Sequence, residues 1–489
     1  MPDHRPLPDN AGDVDDDPTP PRGIAGGRPD AGGSSDDPDA RWDDEEWDEP
    51  NFLVRRALVI GGVVIVIALG AIGIGRLIGG DDSSSTSSAA AVDWDTIVVL
   101  ETDEIRLVDP SNGDEIETYA ASDDLLDAQS LVADHVLVTM TDAGQIVQTD
   151  LADGSQRQGR SGPDETLVVS PDHPAIAISG NDLGGDISII DTRDRSTLSV
   201  ADVAGLDDPL IFSADVIVNP SATHVAVPVP NAFQSVVIDL ADSSAQARAG
   251  RVIAIDDERI VTEQPAGDES ELEFYDIAGE RLGSIDVAAP KATLLRDDGR
   301  ILAVSTDGTI TIVDADGSVD EVGSLSDPDD RPIEVSSGER VADGDRLVVV
   351  GTRDTYVLES DGTQIASAPG APARRPGSGE RCIVAVSTSG RESATTVLDV
   401  ESGSVVAEIE DSFVTDESYD GCTIAFQGTT PQLLSDGELT LVDAASVAVV
   451  APDGTGYVVI DGRDSEYVAL GDDPLEIADR PTVIHFGNR

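Results

Sequence analysis

The chain has 489 residues, 96 Asp and Glu against 30 Lys and Arg, and a formal net charge of −66. So anionic a chain excludes general binding to a nucleic-acid backbone, which needs a cationic face. Aromatic residues make up 3%, so a large core must be built from Val, Ile, Leu and Ala. With 2 Cys and 5 His in the whole chain, a disulfide-dense scaffold and a four-cysteine zinc site are also excluded.

Residues 1–56 hold 16 acids and 6 arginines, many Pro and Gly, and no apolar periodicity. Such a segment cannot bury enough surface to offset its chain entropy, and it reads as a disordered acidic cytoplasmic tail. Within it, Trp42 and Trp47 sit in the acidic run Arg41–Glu49. One reading is a short linear motif that docks a cytoplasmic partner. The other is a pair of interfacial anchors with solvated acids around them.

A transmembrane helix is expected over residues 57–78. Its core, Ala57–Gly75, is nineteen residues without a charge, about 28 Å as a helix and close to the hydrocarbon thickness of a bilayer. A buried core helix or strand is the competing reading, but a soluble helix of this length usually keeps a polar face. Arg55 and Arg56 precede the run and Arg76 follows it, a bias toward a cytoplasmic N-terminus. The 56 preceding residues are far longer than the charged region of a cleaved signal peptide. Residues 79–94 form a Ser/Ala-rich linker. Residues 95–489 are then extracytoplasmic, on the cell membrane of a single-pass protein.

From Trp94 on, short β-type runs alternate with turn residues. One pattern recurs: apolar, polar, apolar, apolar, Asp. It occurs at Ile105–Asp109, Ile187–Asp191, Leu272–Asp276, Ile310–Asp314 and Leu439–Asp443, with looser copies ending at Asp150, Asp239, Glu359 and Asp399. From 109 to 443 there are 334 residues over eight intervals, a mean of 41.75. Several short strands per 40–45 residues is the mark of a propeller blade. The Asp can cap the turn through its own carboxylate. The following Gly, as in Asp109–Gly113, Asp150–Gly154 and Asp399–Gly403, can supply the positive φ that the turn requires.

The stretch Val304–Asp314, with Ser170-Pro171-Asp172 and Ala451-Pro452-Asp453-Gly454, resembles the pyrroloquinoline-quinone-like and YVTN-type β-propeller repeats. The resemblance covers residues 95–489 and concerns architecture only. It implies an all-β propeller of four-stranded blades closed by pairing the chain ends, with Ile97–Leu100 and Thr482–Phe486 as the closing strands. Nine markers give an expectation of about eight blades, or seven. A pair of β-sandwich domains is the rival fold, disfavoured by the even period. The tryptophan-rich blades and cofactor pocket of quinone-dependent dehydrogenases are not matched.

Cys382 and Cys422 lie 40 residues apart in aligned contexts. They would occupy equivalent positions on an inner strand of successive blades, as an inter-blade disulfide in an oxidising exterior or as two buried thiols. Asp314–Asp320 spaces oxygens like the start of a calcium loop, but its Gly and its twelfth residue are misplaced, and a plain turn is preferred. His135, His173, His224 and His485 show no metal spacing. No catalytic, cofactor-binding or metal residue is assigned. The expected function is a membrane-anchored binding or scaffold module for an extracytoplasmic protein or ligand. The alternative is a propeller hydrolase or lyase using acids at the central channel.

Overall fold

The computed structural model describes residues 94–489, apart from 122–124, 126–127, 164, 182–184, 207–215, 230–233, 267–268, 328–331, 342–344, 378, 390–391, 419–421, 429, 436, 445, 462–463, 480 and 482. The acidic tail with Trp42 and Trp47, the apolar run and the Ser/Ala-rich spacer therefore lie outside the described residues. Among the described residues no helix is long and apolar enough to cross a membrane. One five-residue helix, Val200–Ala204, is capped by Ser199 at its start and by left-handed Gly205 at its end.

The strands form ten four-stranded antiparallel sheets. The chain is a ten-bladed β-propeller, two blades more than the marker count suggested. The nine markers fall one in each of blades 1 to 9, which is already one blade more than the eight read from them, and blade 10 carries none. The third strand of blade 10 ends at Ala469 and is followed by Gly471 with no Asp at the marker position. The Leu439–Asp443 copy also falls elsewhere: Glu438–Leu441 is the outer strand of its sheet, and Leu441 is 71% exposed.

The first strands of blades 2 to 10 are Gln129–Ala133, Thr166–Val169, Ile217–Val218, Arg251–Ile255, Pro290–Leu295, Val335–Val341, Ala371–Pro372, Phe413–Glu417 and Ser446–Val450. Most of them adjoin the first strand of the next blade and line the axis, whereas outer strands such as Val319–Ser324 are exposed throughout. Blade 1 is built from both ends of the described chain. Val483–Gly487 supplies its axial strand and pairs with Thr96–Leu100, Ile97 opposite Phe486 and Leu100 opposite Val483. The closing segments expected from the sequence are the ones that pair.

Period-two alternation explains the core. In the second strand of blade 1, Val98 and Leu100 pack with Leu137 of blade 2, while Ile97 and Val99 pack with Val458 and Tyr467 of blade 10. Both faces of a strand are thus buried between neighbouring blades. The same arrangement gives ten apolar clusters, one at each blade interface around the ring. This distribution rules out two separate sandwiches, each of which would have its own core. Burial of these aliphatic faces, at about 25 cal/mol per Å² of apolar surface, is the main stabilising contribution.

The repeat's Asp does what the sequence suggested. The Oδ1 atoms of Asp109, Asp150, Asp191, Asp239 and Asp399 each accept from the backbone N–H two residues on, at 2.8–3.0 Å. The glycine that follows is left-handed at Gly154, with φ +69°, and a Cβ there would run into the Tyr119 ring of the preceding blade.

Candidate functional site

Polar contacts link the axial strands of several neighbouring blades. Val218 N–H donates to Asp172 Oδ2 at 3.0 Å between blades 3 and 4, and Thr293 Oγ1 donates to Ile253 O at 3.1 Å between blades 5 and 6. Arg375 Nε donates to Glu339 Oε2 at 2.9 Å between blades 7 and 8. Arg374 pairs with Glu380 of its own blade and with Glu417 of blade 9, and Asp416 accepts from Val450 N–H of blade 10. These contacts hold the axial wall in place.

Inside that wall lies a cavity of about 700 Å³, lined mainly by the first strands of blades 4 to 7. Its lining includes apolar Ile217, Val229, Val252 and Ile253, hydroxyls of Ser270, Thr293, Ser336 and Ser337, and the charged residues Asp172, Glu263, Glu339, Arg251, Lys291, Arg340 and Arg375. The size suits a small organic molecule. Lys291, the one lysine in the chain, projects here from the axial strand of blade 6.

A second cavity, also of about 700 Å³, lies at the seam of blades 1 and 10 between Trp94, Tyr467, Asp453, Asp472 and Asp473. Its aromatic wall belongs to the core. Trp94 stacks edge-on with Phe486 and Tyr467, at centroid distances of 4.6 and 5.8 Å. Burial pushes the Tyr467 hydroxyl up to about 12, which fits a packing role better than a chemical one.

The acids with the strongest shifts sit at the junction of blades 8, 9 and 10. Burial raises the Glu380 carboxyl to about 7, Arg374 opposing and Glu417 adding to the shift. Burial raises Asp416 to about 6 against the pull of the Val450 and Glu417 backbone N–H groups. Neither residue lines the axial cavity, and both are engaged in contacts between strands.

Cys382 and Cys422 meet at the same junction, joined as a disulfide with Cα atoms 5.3 Å apart. Cys382 opens the second strand of blade 8, and Cys422 precedes the second strand of blade 9. The pair is therefore one strand outward from the axis. Asp314–Asp320 forms the turn into the outer strand of blade 6, with Asp316 Oδ1 accepting from Ser318 N–H at 2.9 Å. The histidines stand apart in different blades: His135 on Asp134, His173 on Ala175 N–H, His224 on Thr223 and His485 on Ser130.

The lone Lys291 was visible in the composition. Its place on the axis, in the same cavity as Arg251 and Arg340, was not, because no sequence pattern distinguishes an axial strand from the others in its blade.

The chain matches no protein-family model and no curated protein. Solved structures with which it shares shape include "Dihydro-heme d1 dehydrogenase NirN in complex with DHE", at 15% identity over 68% of this chain and 76% of that one, with a TM-score of 0.36. Another is the computationally designed Ika8 protein, at 15% identity over 66% of this chain and 98% of that one, with a TM-score of 0.35. A third is the AfRom2 CNH domain, at 11% identity over 56% and 92%, with a TM-score of 0.34. Likenesses this distant carry no argument about this chain, whose propeller architecture is read from its own ten sheets.

Proposed function

We propose that the chain is a binding module, held at a membrane by residues 57–78, whose propeller engages an extracytoplasmic ligand or protein through the axial cavity. The observation that carries this reading is the cavity itself: about 700 Å³, walled mainly by the first strands of blades 4 to 7 and furnished with both apolar and charged side chains. The uncharged run Ala57–Gly75 supports the anchor, and the Cys382–Cys422 bridge supports an oxidising compartment. The likeness to pyrroloquinoline-quinone-like and YVTN repeats belongs to this proposal too, and it rests on Val304–Asp314 and its copies. Docking of a cytoplasmic partner on Trp42 and Trp47 is a separate element of the same proposal.

The enzyme reading draws on the raised Glu380 and Asp416. Their engagement in contacts between strands, away from the cavity lining, favours binding over catalysis. Photo-crosslinking from the full-length chain in its native membrane tests the proposal. A crosslinker at cavity-lining Ser337 is expected to capture a defined adduct that one at rim residue Val322 does not. Capture from Val322 alone would overturn the reading.

A further inference from the structure

Residues 81–489 carry 80 acids and 23 basic side chains, so an unpaired cation is the exception in this domain. The axial cavity reverses the balance, with four cations (Arg251, Lys291, Arg340, Arg375) against three carboxylates (Asp172, Glu263, Glu339). Each of the three acids is already engaged. Asp172 accepts from Val218 N–H, Glu263 from Ser270 Oγ at 2.7 Å, and Glu339 from Arg375. Among the described residues the side chains of Lys291 and Arg340 have no hydrogen bond or ion pair.

The cations also occupy two levels. The Thr293–Ile253 hydrogen bond joins the axial strands of blades 5 and 6, with Lys291 and Arg251 each two residues before it. A Cβ on Gly338 would lie 2.2 Å from Ala292 Cβ, so Arg340 stands three residues further along the axis than Lys291. The strand is bulged at Lys291, so at a rise of roughly 3.3 Å per residue that separation is at most about 10 Å. Between the two levels the wall includes Val252, Ile253 and Thr293.

We propose that this cavity is an anion site for an elongated organic ligand with an anionic group at each end, one facing Lys291 and the other facing Arg340. The inference rests on the reading of the cavity as the binding site and adds the chemical class of its ligand. A carboxylate or a phosphate satisfies the same donors, and both are charge-assisted partners for Lys and Arg. A compact anion reaches one level only.

Calorimetric titration of the full-length chain in detergent micelles tests this with suberate, 1,8-octanediol bisphosphate, succinate and 1,8-octanediol. The expected result is saturable binding of suberate, the bisphosphate or both, at least tenfold tighter than succinate, with no binding of the diol. Which of the two binds identifies the terminal group. K291Q and R340Q should each weaken binding at least tenfold, Lys291→Arg should restore it, and R157Q on the exposed outer strand of blade 2 should leave it unchanged. Binding of the diol equal to that of the dianions, or equal losses in R157Q and K291Q, would overturn the proposal. If no probe binds while the Ser337 crosslinker still captures its adduct, the anion assignment falls and the cavity reading stands. If both experiments fail, both readings fall.

Discussion

His485 Nε2 lies 2.9 Å from Ser130 Oγ, joining the closing strand of blade 1 to the axial strand of blade 2. Val98 pairs with His485 across the closure, so this imidazole sits where the two ends of the ring meet. Burial pushes it down to about 4. Between that value and the ordinary 6.5 the unfolded chain binds the proton and the folded ring does not. The His485 contribution is therefore present above 6.5 and lost as pH falls toward 4, by up to about 3 kcal/mol. Glu380 and Asp416 act oppositely in the same window, so the difference from a variant isolates the effect. His485→Gln keeps a hydrogen-bonding side chain without a titration. Urea midpoints from pH 4 to 7 should show the wild type losing stability relative to H485Q as the pH drops.

Glu380 gives a pH dependence of the reverse sign. Its carboxyl titrates at about 7 when folded and in the usual carboxylate range when unfolded. The folded chain holds the proton more tightly, so stability falls as pH rises from about 4.5 through 7. Relative to the wild type, Glu380→Gln should be more favourable at pH 8 than at pH 5 by about 2 kcal/mol. Arg374→Met would leave the Glu380 and Glu417 carboxylates without their cation. It should cost about 3–5 kcal/mol at pH 8 and less at pH 5, where Glu380 is protonated. Denaturant titration at the two pH values measures both.

The Cys382–Cys422 bridge closes a 40-residue loop across blades 8 and 9. On a loop-entropy basis it contributes about 4 kcal/mol. The C382S/C422S double variant should unfold at lower temperature and lower denaturant than the oxidised protein. The intact mass of the oxidised chain should rise by two hydrogens on reduction. Two free thiols in protein isolated without reductant would contradict the bridge.

Two apolar residues from copies of the same sequence pattern should behave in opposite ways. Phe274 is fully buried between blades 5 and 6, and Phe274→Ala should cost about 3–5 kcal/mol. Leu441, from the copy that forms an outer strand, is 71% exposed, and Leu441→Ala should stay within about 0.5 kcal/mol. Thermal unfolding of the two variants decides whether the structural position governs the effect.

The blade repeat was legible because its chemistry is local. Alternating aliphatics, an Asp that accepts two residues on at Asp109 and Asp399, and a left-handed glycine such as Gly154 all leave marks in a short window of sequence. Closure was legible too, through the aliphatic runs near both ends of the propeller region. The blade number was not, because the third strand of blade 10 carries no marker Asp. The cavity was invisible for a different reason. Arg251, Lys291 and Arg340 are 40 and 49 residues apart in order along the chain, and only the ring arrangement of the blades brings them to one axis.

The central claim is a closed ring of ten blades around a basic axial cavity, and an electron cryo-microscopy map of the full-length chain viewed end-on tests it most directly. The account predicts ten radial sheets with an unbroken seam where Thr96–Leu100 meets Val483–Gly487, and an open volume walled by blades 4 to 7. Eight or nine sheets, a gap at that seam, or an axis filled by side chains would contradict it.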